Sequence, residues 1–98
     1  MRDEWIAPAW AAPRHVRALV TTRHGGVSSG SFGSMNIADH VGDRPSDVVR
    51  NRQRLSNALS QPAQPAWLQQ VHGNRVIDLD AEVDDWQADG STTCRAGH

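Results

Sequence analysis

The sequence predicts an α+β fold: a mixed β-sheet, one main helix and a short β-hairpin. Three observations carry that expectation. A β-branched, alternating run covers residues 15–22, a helix-period run extends from Pro45 to about Ser60, and two strand-forming runs flank His72-Gly73-Asn74. The 98 residues suit one small domain. A chain of that size buries only about 60–65% of its unfolded surface, so its core is thin and the fold reads as part of something larger. A mean hydropathy of -0.59 points the same way.

Taken in order, residues 1–13 hold Trp5, Trp10, Pro8 and Pro13 without a sustained period. They read as an extended arm whose indoles cover an apolar surface. HVRALVTT follows as a strand ending at Thr22. The text then changes to RHGGVSSGSFGS, with four Gly and four Ser in residues 23–34. Such a loop lets backbone N–H groups approach a ligand closely, and Arg23 beside it can clamp phosphate or carboxylate. Its spacing matches neither the dinucleotide nor the P-loop fingerprint, and a plain flexible connection is the alternative.

Asp43 or Arg44 is positioned to cap the helix, and Pro45 suits its first turn, where a missing N–H costs nothing. Val48, Leu55 and Leu59, with Val49, Ala58 and the stem of Arg52, outline one apolar face. Arg50, Arg52 and Arg54 point in different directions and are expected mostly to face solvent. Ser60-Gln61-Pro62 stops the helix and Pro65 keeps the connection extended.

In PAWLQQVHGNRVIDL, residues 65–79, Gly73 and Asn74 can take the positive φ of a tight turn, which places His72 at the lip of a hairpin at residues 66–79. A neutral imidazole there can ligate a metal or move a proton; a solvent-exposed turn histidine is the plainer alternative. The acidic run over residues 80–89 lacks the register of a calcium loop and reads as a solvated connection. ADGSTT, residues 88–93, enters another strand.

Charge and composition exclude several classes. The net charge is -1, with ten Arg and no Lys, so there is no basic field for nucleic acid. All-Arg usage suits bidentate anion recognition, but a genomic composition preference explains it more cheaply. One Cys excludes an internal disulfide framework. No apolar run approaches the ~20 residues of a membrane span. The start, MRDEW, lacks the apolar stretch of a signal peptide, so a cytoplasmic protein with no membrane partner is expected.

The order of these segments carries a resemblance. TTRHGGVSSGSFGSMNIADHVGD, the pair Asn51-Arg52, WLQQVHGNRV and ADGSTT together resemble the YfiH family over about residues 16–97. That family was long labelled polyphenol-oxidase or laccase-like and is now described as zinc-dependent purine nucleoside phosphorylases. The resemblance implies the N-terminal portion of one larger layered α/β domain, truncated here to residues 1–98. It also implies phosphorolysis of adenosine, inosine and methylthioadenosine, with adenosine deamination as a second activity.

For the site, the resemblance implies a zinc held by two His and one Cys, with His72 as the first ligand and a catalytic residue. Three protein ligands leave an open position for water, phosphate or substrate. Arg23 becomes an anion contact and His40 a residue of the nucleoside pocket. In the family the Cys lies in Thr-Ala-Asp-Cys and the second His in His-Ala-Gly-Trp, and neither motif stands in this sequence. Cys94 falls too early and His98 is the last residue, so neither is expected to be a ligand. Two alternatives remain: a non-catalytic module that self-associates or assembles with another chain, and a copper-dependent polyphenol oxidase, since histidine sites bind Cu²⁺ tightly.

Overall fold

The computed structural model describes residues 5–59 and 65–97. The expected helix stop at residues 60–62 and His98 lie outside them. The chain forms two compact units, Met1–Ser60 and Gln61–His98. The α+β class holds: the described residues form one α-helix, one 3-10 turn and two short strands.

The first unit is built on helix α1, Pro45–Leu59. The Arg44 carbonyl accepts the N–H groups of Asp47 and Val48 at 3.0 and 3.1 Å, so Arg44 supplies the backbone cap. Asp43 does not cap through its side chain; its carboxylate meets Arg44 N–H at 2.8 Å and otherwise serves the loop. Asp47 stands in the first turn, where the helix dipole favours a negative charge. The buried face consists of Val48, Asn51, Leu55 and Ser56, while Val49 is exposed. The apolar stripe expected from the spacing is therefore interrupted by a carboxamide.

Asn51 is fully buried, and its carboxamide makes four hydrogen bonds. Its Oδ1 accepts Val27 N–H at 2.8 Å. Its Nδ2 donates to Ser28 Oγ at 2.8 Å, Asn36 O at 2.7 Å and Ser34 O at 3.2 Å. One side chain thus supplies partners that the Gly/Ser loop lacks because it forms no ladder. The loop holds a 3-10 turn, Gly30–Phe32, and crosses itself closely. A Cβ at Gly26 would lie 2.1 Å from the Ser34 carbonyl oxygen, so that position accepts only glycine.

Two of the three helix arginines correct the expectation of solvent exposure. Arg54 Nη1 donates to Gly25 O at 2.9 Å, and Arg52 Nε to Ile37 O at 2.9 Å; both are half-buried, whereas Arg50 is exposed. Loop carbonyls without partners draw them in. The strand expected at residues 15–22 is also corrected. It reduces to an antiparallel bridge between Val20 and Ile6, with N–H···O distances of 2.8 Å both ways. Pro8 and Pro13 in the facing arm have no N–H to extend a ladder. In that arm Trp5 is buried and its indole N–H meets His24 O at 2.8 Å, while Trp10 stays exposed. Trp5, Met35, Val48 and Leu55 form the small apolar core of this unit.

The second unit corrects the hairpin. Strand β1, Val76–Asp78, pairs in parallel with β2, Gly90–Thr92, in the register Val76↔Gly90, Ile77↔Ser91, Asp78↔Thr92. Upstream, Gln69 bridges Gln87, also in parallel. The two arms therefore pair with the later segment and not with each other. Partners are 18 residues apart at Gln69 but 14 apart at Val76. Residues 70–75 are thus an excursion from one interrupted strand, four residues longer than the facing stretch 88–89, and not the tip of a hairpin. Ile77 and Ala88 form the buried apolar positions of this unit. No helix among the described residues is long and apolar enough to cross a membrane.

Replacing Asn51 with Ala leaves Val27 N–H and the Asn36 carbonyl without partners, and takes from the Ser34 carbonyl one of the two donors it has, the other being Ser28 N–H. A destabilisation of about 3 kcal/mol is expected, read from the urea midpoint. A midpoint within error of the wild type would refute the role given to Asn51.

Candidate functional site

His72 lies on the excursion of the second unit, in the left-handed region at φ 57. The sequence pointed to Gly73 and Asn74 for the positive φ; the structure places it one residue earlier. For a residue with a Cβ this conformation costs about 1–2 kcal/mol. Asp89 offsets it. Its Oδ1 accepts the N–H groups of His72 at 2.7 Å and Val71 at 3.2 Å, and its Oδ2 accepts Gly73 N–H at 2.7 Å. Hydrogen bonds to a charged group contribute about 1.5–3 kcal/mol each, so one of the short pair suffices. Asp89 is itself fixed, because its N–H donates to Arg75 O at 3.0 Å and Gly90 opens β2. The His72 side chain is exposed on this braced loop.

Arg23 and His40 belong to the first unit, on segments tied to α1 by Asn51 and Arg52. The Arg23 carbonyl accepts Ser34 N–H at 2.7 Å and Met35 N–H at 2.9 Å, and its Nε donates to Gly33 O at 3.3 Å. Among the described residues its two terminal nitrogens make no hydrogen bond, which leaves them for an anion. His40 faces Asp39 at 3.8 Å, and Asp39 also meets Arg52 at 3.7 Å. Asp43 ties the same loops together: its Oδ2 accepts Ser28 Oγ at 2.6 Å and Asn36 Nδ2 at 3.1 Å. Chiefly the Ser28 hydroxyl, then Asn36 and Arg44, hold its carboxyl below the usual carboxylate range against the opposing effect of desolvation.

Among the described residues no three His, Cys, Asp or Glu side chains gather as a metal-binding group. The donor set for a His/Cys/His zinc is therefore not completed by them; His72 qualifies as one donor only. Cys94 is exposed just beyond β2, with its backbone N–H on Asp80 Oδ2 at 2.7 Å. Asp80 also bonds the Thr93 hydroxyl and the Arg95 guanidinium, so its acidic side chain closes a turn.

Sequence reasoning missed Asn51 as an anchor and placed Asp89 in a solvated loop. No local signal marks either, because their partners lie 15–24 and 16–18 residues away.

The fold and its side chains define an α+β protein whose candidate chemistry sits on irregular segments, each tied down by a polar side chain. Residues 17–98 match the family model described as multi-copper polyphenol oxidoreductase laccase. A Pseudomonas aeruginosa protein named purine nucleoside phosphorylase PA4543 is 50% identical over 78 residues, which cover 80% of this chain and 31% of that protein. Purine nucleoside phosphorylase YfiH of Escherichia coli K12 is 46% identical over 77 residues, 79% of this chain and 32% of that one. Among solved structures, Neisseria meningitidis protein NMB0706 superimposes with a TM-score of 0.66 at 39% identity, covering 78% of this chain and 31% of that chain. The chain belongs to this laccase-like family, the YfiH family. It spans about a third of the length of the curated relatives it matches.

The lowered Asp43 pKa sets a direction for pH dependence. The contribution of this carboxylate is fully present above its unfolded pKa of about 3.9 and is lost as pH falls through the lower folded value. Acid unfolding of the wild type should steepen there, and Asp43→Asn should flatten that limb. Identical acid limbs for the two proteins would contradict the assignment.

Proposed function

We propose that this chain is the N-terminal part of a purine nucleoside phosphorylase, with His72 one ligand of a zinc ion. The observation that carries the reading is 46–50% identity, over about four fifths of the chain, to proteins named purine nucleoside phosphorylases. An exposed imidazole on a loop braced through three backbone N–H groups supports it. The remaining donors would come from outside these 98 residues. Within the family description, copper is the competing metal.

In phosphorolysis a phosphate oxygen attacks the anomeric carbon C1′ as the bond from C1′ to the purine nitrogen breaks. The purine leaves with the electron pair and takes up a proton, and the sugar departs as its 1-phosphate. The substrates proposed are adenosine, inosine and methylthioadenosine, with adenosine deamination as a second reaction in the cytoplasm. Zinc, when bound, supplies Lewis acidity and a bound water of lowered pKa. Arg23 holds the phosphate through its terminal nitrogens, while its Nε and carbonyl keep the loop in place. His40, beside Asp39, lines the nucleoside pocket.

In the full-length protein, His72→Ala should lose zinc and inosine phosphorolysis together, each by more than about 100-fold. Metal analysis and hypoxanthine release measure the two; unaltered turnover removes His72 from the reaction. Arg23→Ala should raise the KM for phosphate about tenfold or more, as loss of a charge-assisted contact requires. An unchanged phosphate KM would discard the anion role of Arg23.

A further inference from the structure

We propose that Asp89 is the positioning residue for His72, fixing the direction of the imidazole through the backbone and not through the ring. This inference rests on the reading of His72 as a metal ligand. Ligating histidines usually have their second ring nitrogen held by a carboxylate or carbonyl. Among the described residues nothing bonds the His72 ring, so its aim follows from the loop that carries it. That loop departs from the sheet at Gln69 and rejoins it at Val76, and between those points the N–H groups of Val71, His72 and Gly73 turn to a side chain instead of a neighbouring strand.

Asp89 gathers three consecutive N–H groups, those of Val71, His72 and Gly73, on one carboxylate. Successive N–H groups turned to one side form an anion-binding concavity. Here the anion is internal. The same three donors are consequently not offered to substrate phosphate, and the positive φ of His72 is the conformation that turns its N–H toward Asp89 Oδ1. The carboxylate stands on a rigid base, since Ala88 is fully buried with its N–H on Gln69 O at 3.1 Å and Asp89 N–H is on Arg75 O. An error in the carboxylate would therefore be passed to the imidazole, not absorbed by the sheet.

The test uses the full-length protein and zinc alone as the probe. Asp89→Asn keeps the size but exchanges one acceptor oxygen for a donor facing an N–H. It should weaken zinc binding about 10- to 100-fold in protein that remains folded by circular dichroism. Asp89→Glu, which keeps the charge one methylene away, should fall between. A merely structural role would lower the melting temperature and leave the zinc affinity of the folded protein unchanged. Wild-type zinc affinity in folded Asp89→Asn, alongside lost zinc in His72→Ala, overturns this proposal and leaves the His72 reading standing. Retained zinc in His72→Ala overturns both. Should neither Asp89 variant fold, amide hydrogen exchange in the wild type decides. Slow exchange at Val71, His72 and Gly73 supports the brace, and exchange as fast as in an unbonded turn overturns it.

Discussion

Backbone N–H and C=O groups that leave water must find partners, and this chain offers them few regular ladders. Among the described residues it has one helix of 15 residues and two strands of three. The rest is irregular, so polar side chains do the work that ladders do elsewhere. Asn51 serves Val27, Ser34 and Asn36. Asp89 serves Val71, His72 and Gly73, Asp43 ties Ser28 and Asn36 to the start of α1, and Asp80 closes the turn after β2. Every residue proposed for function is carried by a segment held in this manner.

That economy suits a functional surface. Loops position reactive groups well only when something rigid stands behind them. In the first unit the rigid body is α1, whose buried face interleaves Val48 and Leu55 with the carboxamide of Asn51. In the second it is the parallel pair β1–β2 with Ile77 and Ala88 beneath it. Apolar burial is small in both, so hydrogen-bond satisfaction matters more to them than it would to a large core.

The parts of the fold written in local patterns were legible in the sequence. The helix was readable from Pro45, Asp47 and the spacing of Val48 and Leu55, and β2 from its Gly-Ser-Thr entry. The hairpin was not, because Gly73-Asn74 between strand-formers is compatible with either a turn or a loop. What excludes the turn is a segment 18 residues beyond the first arm and 14 beyond the second that pairs with both. The strand at residues 15–22 failed for a similar reason, since propensity cannot supply a partner strand with prolines in the facing arm. For the site, the sequence marked His72, Arg23 and His40 but not the side chains that brace them. Short polar residues such as Asn51 and Asp89 look alike whether they face solvent or anchor a loop, and only their long-range partners separate the two cases.

The central claim is that a metal ion sits on the His72 imidazole in the intact enzyme. An anomalous difference map collected at the zinc edge, from crystals of the full-length protein grown without added metal, tests it directly. The account predicts a peak about 2.0–2.1 Å from a ring nitrogen of His72. A zinc peak bound by other residues, with the His72 ring free of it, would contradict the account.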